Sequence, residues 1–116
     1  MSNSVISVSQ LTQAIKMRLE ADFPSVVVEG EVSQPTFASS GHIYFTLKDD
    51  GAQLACVIWR STAERLNLRL QHGQQIQVGG AIQVYPPSGR YQLIVSRLSL
   101  AGEGALQKAF LALKQK

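Results

Sequence analysis

The feature that most constrains the fold is the run SSGHIYFTLKDDG at positions 39 to 51. Apolar residues alternate there with polar and aromatic ones, which predicts a strand with one buried face and one exposed face. The buried face is formed by Ile43, Phe45 and Leu47. The exposed face carries Tyr44 and Lys48, so a base can stack on the ring while the cation meets a phosphate. The run therefore predicts a surface suited to nucleic acid.

The composition predicts one small domain. The 116 residues with 45% hydrophobic content are enough for a single core. No apolar run approaches the roughly 18 residues that cross a bilayer, so we expect no membrane contact. The first residues resemble no secretion signal, which favours a cytoplasmic location. The net charge of +3 favours an anionic partner, although an ordinary solvated surface explains it equally well.

We expect neither a cofactor nor a metal site nor catalytic residues in this chain. Cys56 is the single cysteine and is expected in the core. His42 and His72 have no cysteine partner at zinc-finger spacing. Four carboxylates offer possible ligands for nuclease metal ions, but a solvated strand face and a turn explain them better. They are Glu29, Glu31, Asp49 and Asp50.

Periodicity predicts a helix, three strands, a short helix and two more strands. The first helix spans Val8–Asp22, begins with a capping box of Ser7 and Gln10, and is stopped by Pro24. The first three strands are predicted at 26–37, 42–48 and 53–59, and the turn at Asp49–Gly51 makes the last two a hairpin.

The second half of the chain continues this pattern. Ser61–Glu64 matches another capping box, which predicts a short helix that ends near Asn67. The last two strands are predicted at 75–85 and 90–98, joined by the turn Pro86–Gly89. Gly30 and the Gly79–Gly80 pair are expected at bends. This mainly β order, with an N-terminal helix, is that of an OB-fold, a five-stranded Greek-key barrel, although the pattern alone also fits other small barrels.

Several motifs resemble those of the amino-terminal domain of the exodeoxyribonuclease VII large subunit. They are VEGEV at 28–32, SGHIYFTLKD at 40–49, Tyr85-Pro86, Gly89, YQL at 91–93 and GEGAL at 102–106. The resemblance spans about Val8 to Lys114. It implies a bacterial enzyme that degrades single-stranded DNA, in which this domain binds the strand and a separate domain cuts it. It also implies a small subunit as a partner, contacting regions absent here.

The resemblance sets the expected domain boundaries. Residues 1–103 are expected to form the OB-fold domain, and 104–116 to begin a helix that leads to a downstream domain absent from this sequence. One departure concerns the turn before the last strand, where the family pattern has an acidic and a basic residue. This chain has Pro87 and Ser88 there, so Arg90 is expected to supply the cation.

Eight residues are candidates for contact with nucleic acid. They are His42, Tyr44, Lys48, Trp59, Arg60, Tyr85, Arg90 and Tyr91. Tyr44 is the leading candidate because the second and third strands form the usual ligand face of an OB-fold. Trp59 lies on the same face as Tyr44 if Leu54, Cys56 and Ile58 face inward. In the opposite register Trp59 is buried. Tyr85 and Tyr91 either meet the ligand or pack on each other across the hairpin.

Two other functions remain open. One is an RNA-binding OB domain of the anticodon-binding type found in some aminoacyl-tRNA synthetases. The motifs at 39–42 and 102–104 fit the exonuclease family better. The other is a module for protein assembly.

Overall fold

The computed structural model describes residues 4–67 and 69–100, and its strands form a closed five-stranded barrel. The elements are α1 (Val8–Asp22), β1 (Val26–Phe37), β2 (Ile43–Lys48), β3 (Gln53–Ile58), α2 (Arg60–Leu66), β4 (Gln75–Tyr85) and β5 (Arg90–Leu100). Around the barrel the order is β1-β2-β3-β5-β4. The β3–β5 pair is parallel and the other pairs are antiparallel. The predicted OB-fold is confirmed. The helix predicted at 104–116 lies outside the described residues.

Alternate residues of each strand fill the core, as the sequence pattern predicts. On β2 the inward residues Ile43, Phe45 and Leu47 are at most 7% exposed. Cys56 on β3 is also buried, which confirms its expected place in the core. Burying each of the three inward side chains of β2 stabilises the fold by roughly 1.5 to 3 kcal/mol.

A bulge shapes the β4–β5 ladder at the predicted glycine pair. The register shifts between Gly79 and Gly80, and Ser96 is the extra residue on β5. A β-carbon at position 80 would lie 2.0 Å from the carbonyl oxygen of Ile94. Only glycine permits this approach of the two backbones, so the predicted bend is confirmed.

The beginning of α2 corrects the sequence prediction. The predicted capping box at Ser61–Glu64 is wrong, because the helix already begins at Arg60 with Trp59 as its N-cap. Ser61 and Glu64 therefore lie inside the helix. The N-cap has no side-chain hydrogen bond of its own. The strand ends differ slightly from prediction, since β2 begins at Ile43, β3 ends at Ile58 and β5 continues to Leu100.

Helix α1 is attached to the barrel by its last turns. The predicted capping box of Ser7 and Gln10 is present. Glu20 accepts a hydrogen bond from the backbone N–H of Val84, and the carbonyl of Phe23 accepts one from Ile82. Further from the barrel, apolar side chains of the helix remain exposed. In the described part of the chain, no helix is long and apolar enough to cross a membrane.

Candidate nucleic-acid interface

Tyr44 lies on the outer face of the barrel, as predicted. It is paired with Val57 of β3, and its side chain is 41% exposed, while its neighbours Ile43 and Phe45 point into the core. The alternation of β2 produces this difference, because consecutive side chains of a strand project to opposite faces. An exposed ring on the β2–β3 sheet is available for base stacking.

Trp59 follows β3 on the same outer side. Leu54, Cys56 and Ile58 pack in or against the core, so the inward register of β3 is confirmed and the alternative that buries Trp59 is wrong. The indole is 37% exposed and directly precedes α2. The β2–β3 hairpin therefore brings Trp59 to the end of the face that carries Tyr44.

His42 joins these two rings into one cluster. Its ring centroid lies 5.0 Å from that of Trp59 and 6.4 Å from that of Tyr44, both in edge-to-face arrangements. Such pairs contribute about 0.5 to 1.5 kcal/mol beyond the area they bury. We call His42, Tyr44 and Trp59 the aromatic cluster. Val57, which is paired with Tyr44 on this face, is buried and provides an apolar floor.

The loop between β1 and β2 holds His42 against α2. The carbonyl of His42 accepts a hydrogen bond from Ala38, and the carbonyl of Ala38 accepts one from Gly41. The backbone N–H of Arg60 donates to Nδ1 of His42 at 2.9 Å. This bond satisfies a first-turn donor of α2 that has no partner within its own helix. The imidazole of His42 therefore caps the start of α2, in place of the predicted capping box of Ser61 and Glu64.

Arg60 lies across the same loop. Gly41 has φ +97°, and a β-carbon there would come 2.5 Å from Cγ of Arg60. The absence of a side chain at position 41 lets the stem of Arg60 pass over the loop backbone. The sequence predicts a cation at this strand end, and the structure places Arg60 beside the aromatic cluster.

Lys48 lies on the outer face but in acidic surroundings. It is paired with Glu31 of β1 and Gln53 of β3. It lines a depression together with Glu29, Glu31, Asp49 and Asp50. These carboxylates lower the local electrostatic potential, which weakens the attraction of Lys48 for a phosphate. Its predicted contact with nucleic acid stays a prediction.

The β4–β5 hairpin separates the other candidates. Tyr85 is paired with Arg90, whereas Tyr91 is paired with Val84, so the two tyrosines project to opposite faces. The alternative that Tyr85 and Tyr91 pack on each other is wrong. Tyr91 instead lines an apolar groove with Leu19 and Phe23 at the foot of α1. The three candidates on this hairpin, Tyr85, Arg90 and Tyr91, are exposed, and their contact with nucleic acid stays a prediction.

One depression on the surface has no counterpart in the sequence predictions. Phe37, Arg69, Leu70 and Gln71 line a volume of about 440 Å³ beside the β1–β2 loop. Phe37 is exposed at the end of β1. An aromatic residue at the end of this strand is the feature of the sequence that could have indicated the depression. Within residues 4–67 and 69–100, no cluster of three or more His, Cys, Asp or Glu side chains has a metal-binding arrangement.

Comparisons with known proteins give the same fold and a set of close relatives. A family described as "OB-fold nucleic acid binding domain" matches residues 6–99. The exodeoxyribonuclease 7 large subunit of Nautilia profundicola is 46% identical over 95% of this chain and 25% of its own length. That of Nitratiruptor sp. is 48% identical over 97% of this chain and 27% of its own length. The chain thus spans about a quarter of the length of these relatives.

A solved structure shares the fold at low sequence identity. Asparaginyl-tRNA synthetase from Pyrococcus horikoshii matches 77% of this chain and 22% of its own, with a TM-score of 0.57 and 19% identity. At this identity the likeness shows the fold alone.

Proposed function

We propose, from the premise that this chain belongs to the family of OB-fold nucleic acid binding domains, that it binds single-stranded DNA. In the whole protein it would present that strand to a catalytic domain outside this chain. The relatives named as exodeoxyribonuclease 7 large subunits support this assignment, because they match nearly all of the chain. A small subunit would contact other regions of that protein, and the expected cytoplasmic location belongs to the same proposal.

The observation that carries the proposal is the aromatic cluster with Arg60 at its edge. Stacking of a base on an aromatic side chain contributes about 1 to 3 kcal/mol and requires an unpaired base, which duplex DNA does not offer. Arg60 adds a cation that a phosphate can approach. These two contacts together favour a flexible single strand of any sequence.

The three cations predicted to contact phosphates differ in their surroundings, and we expect them to differ in their contribution to affinity. Arg60 lies beside the aromatic cluster, whereas Lys48 is surrounded by carboxylates. Arg90 is exposed on the β4–β5 hairpin and paired with Tyr85. We expect Arg60 to contribute most to affinity, Arg90 less, and Lys48 least.

Fluorescence anisotropy with labelled oligo-dT, oligo-U and duplex DNA, at low and moderate salt, tests the proposal. We expect weak binding that prefers oligo-dT over duplex and weakens as salt rises, because a short barrel engages few phosphates. Equal affinity for duplex would contradict the stacking mechanism. Preference for oligo-U would favour the RNA-binding function, and no binding at low salt would favour protein assembly.

The chain alone is expected to leave DNA intact. The carboxylates near the β2–β3 turn line one depression, but they form no metal-binding group among the described residues. Incubation of labelled single-stranded DNA with the purified chain and magnesium should release no nucleotides. Robust degradation by a preparation free of other nucleases would place catalytic residues in this chain.

A further inference from the structure

The hydrogen bond between the Arg60 N–H and His42 caps α2 and also lies directly beside Trp59. The Arg60 nitrogen belongs to the peptide bond that follows Trp59, so its contact with Nδ1 fixes this peptide relative to the imidazole at 2.9 Å. The indole of Trp59 extends from the other side of that peptide. It lies edge-to-face with the same imidazole, at 5.0 Å.

The backbone of Trp59 is held at the start of α2, since its carbonyl accepts a hydrogen bond from the Ala63 N–H, but the indole takes no part in that bond. Trp59 is the N-cap of α2, it makes no side-chain capping bond, and its side chain is 37% exposed. An exposed ring at a helix terminus loses its orientation when the terminus frays. The imidazole of His42, in contrast, is itself hydrogen-bonded, at Nδ1, and the carbonyl of His42 is bonded to Ala38 within the β1–β2 loop.

We infer that His42 is a positioning residue, which holds Trp59 beside Tyr44 through its bond to the Arg60 N–H and so keeps the two rings together as one stacking surface. This inference rests on the proposed function, which it deepens. It separates the role of His42 from the direct phosphate or base contact that the sequence predicts. Binding of two adjacent bases would then depend on a bond that neither base touches.

A matched pair of variants at position 60 isolates this bond. Arg60→Ala removes the guanidinium but keeps the N–H, whereas Arg60→Pro removes both and puts a ring carbon where the hydrogen was. Proline is well suited to the first position of a helix. The preceding Trp59 has φ −67° and ψ 155°, the extended conformation that a residue before proline prefers. The two variants therefore differ at the contact with His42, where proline both removes the hydrogen bond and, through its ring carbon, displaces the imidazole.

We expect Arg60→Pro to bind oligo-dT about fivefold more weakly than Arg60→Ala, since residues in contact are energetically coupled. The difference should disappear when Trp59→Ala is added to both, because the bond then has no ring to position. Equal affinity of the two single variants would overturn the inference. A difference that persists without Trp59 would overturn it as well.

A second measurement needs no nucleic acid. Trp59 is the only tryptophan of the chain, so intrinsic fluorescence reports on it alone. Acrylamide should quench this fluorescence more strongly in Arg60→Pro than in Arg60→Ala. Equal quenching would overturn the inference. If the parent chain binds no oligo-dT, the proposed function fails, and the quenching experiment still decides whether His42 positions Trp59.

Variants of His42 provide the same comparison if Arg60→Pro does not fold. His42→Asn keeps an acceptor near the position of Nδ1, whereas His42→Phe keeps a ring without an acceptor. We expect the phenylalanine variant to bind oligo-dT more weakly and to leave Trp59 more open to acrylamide. An asparagine variant as impaired as the phenylalanine variant in both measurements would overturn the inference.

Discussion

Gly80 approaches Ile94 so closely that a β-carbon on the glycine would lie 2.0 Å from the isoleucine carbonyl oxygen. Because that oxygen belongs to the backbone of β5, no side-chain rotation relieves the contact. The bulge between β4 and β5 must shift to admit even one methyl group.

Gly80→Ala is therefore expected to lower the free energy of unfolding by about 3 kcal/mol, the upper part of the range for overpacked cores. Urea unfolding followed by circular dichroism measures this change. Gly51→Ala is the matched control, since its β-carbon would come no closer than 3.9 Å to Asp49, and it should shift stability by less than about 0.5 kcal/mol. Similar stability of the two variants would show that the bulge adapts.

Tyr44 and Phe45 are adjacent in sequence and should respond oppositely to truncation. Tyr44 is 41% exposed and Phe45 is 4% exposed. Tyr44→Ala should lower stability by no more than about 1.5 kcal/mol, the upper value for its edge-to-face contact with His42, and weaken oligo-dT binding by roughly 1 to 3 kcal/mol. Phe45→Ala should cost about 3 to 5 kcal/mol of fold stability. Melting curves and anisotropy titrations separate the two effects, and a severely destabilised Tyr44→Ala would contradict the assigned face.

The carboxylate of Glu20 should make the attachment of α1 sensitive to acid. The Lys16 ammonium and the Val84 N–H, which both donate to it, hold the pKa of Glu20 below its ordinary value of 4.5. A depressed pKa in the folded state stabilises that state fully above the ordinary value, and this stabilisation is lost as the pH falls through the lower folded value.

The stability difference between the parent chain and Glu20→Gln should therefore shrink as the pH is lowered from about 7 to about 3. Urea unfolding at several pH values measures it. A difference for Glu20→Gln that stays constant with pH would show that the ionised carboxylate does not stabilise the fold.

Cys56 should be inert toward thiol reagents in the folded protein. Its side chain is 1% exposed, and burial raises the pKa of its thiol to about 12. Since the thiolate is the reactive form, Ellman's reagent near neutral pH should label the folded chain far more slowly than the urea-unfolded chain. Equal labelling rates would indicate that β3 opens readily.

The sequence predicts most of this fold because its signals are local. The alternation of Ile43, Phe45 and Leu47 gives the inward face of β2, and Ser7 with Gln10 gives the start of α1. The start of α2 is not predicted, since its first-turn donor is bound by His42 from a different element. The motif of Ser61 and Glu64, which lies inside the helix, therefore predicts the wrong N-cap.

The candidate site is only partly visible in the sequence. Tyr44 can be placed from alternation, whereas the sequence leaves two registers open for Trp59. The edge-to-face contacts with His42 depend on how the β1–β2 loop folds. Alternation also had a signal that the prediction for Tyr91 overlooked. Tyr91 has the same parity as Leu93 and Val95, which are buried, so it lies on their side of β5 and away from Tyr85.

The bond between His42 and Arg60 has a consequence for the order of folding. Its partners are 18 residues apart and stand at the two ends of one hairpin, whereas the bond from Val84 to Glu20 spans 64 residues. Closing a short loop costs less chain entropy than closing a long one, and contacts of short sequence separation form faster. The aromatic cluster can therefore form together with the β2–β3 hairpin, before α1 packs against β4.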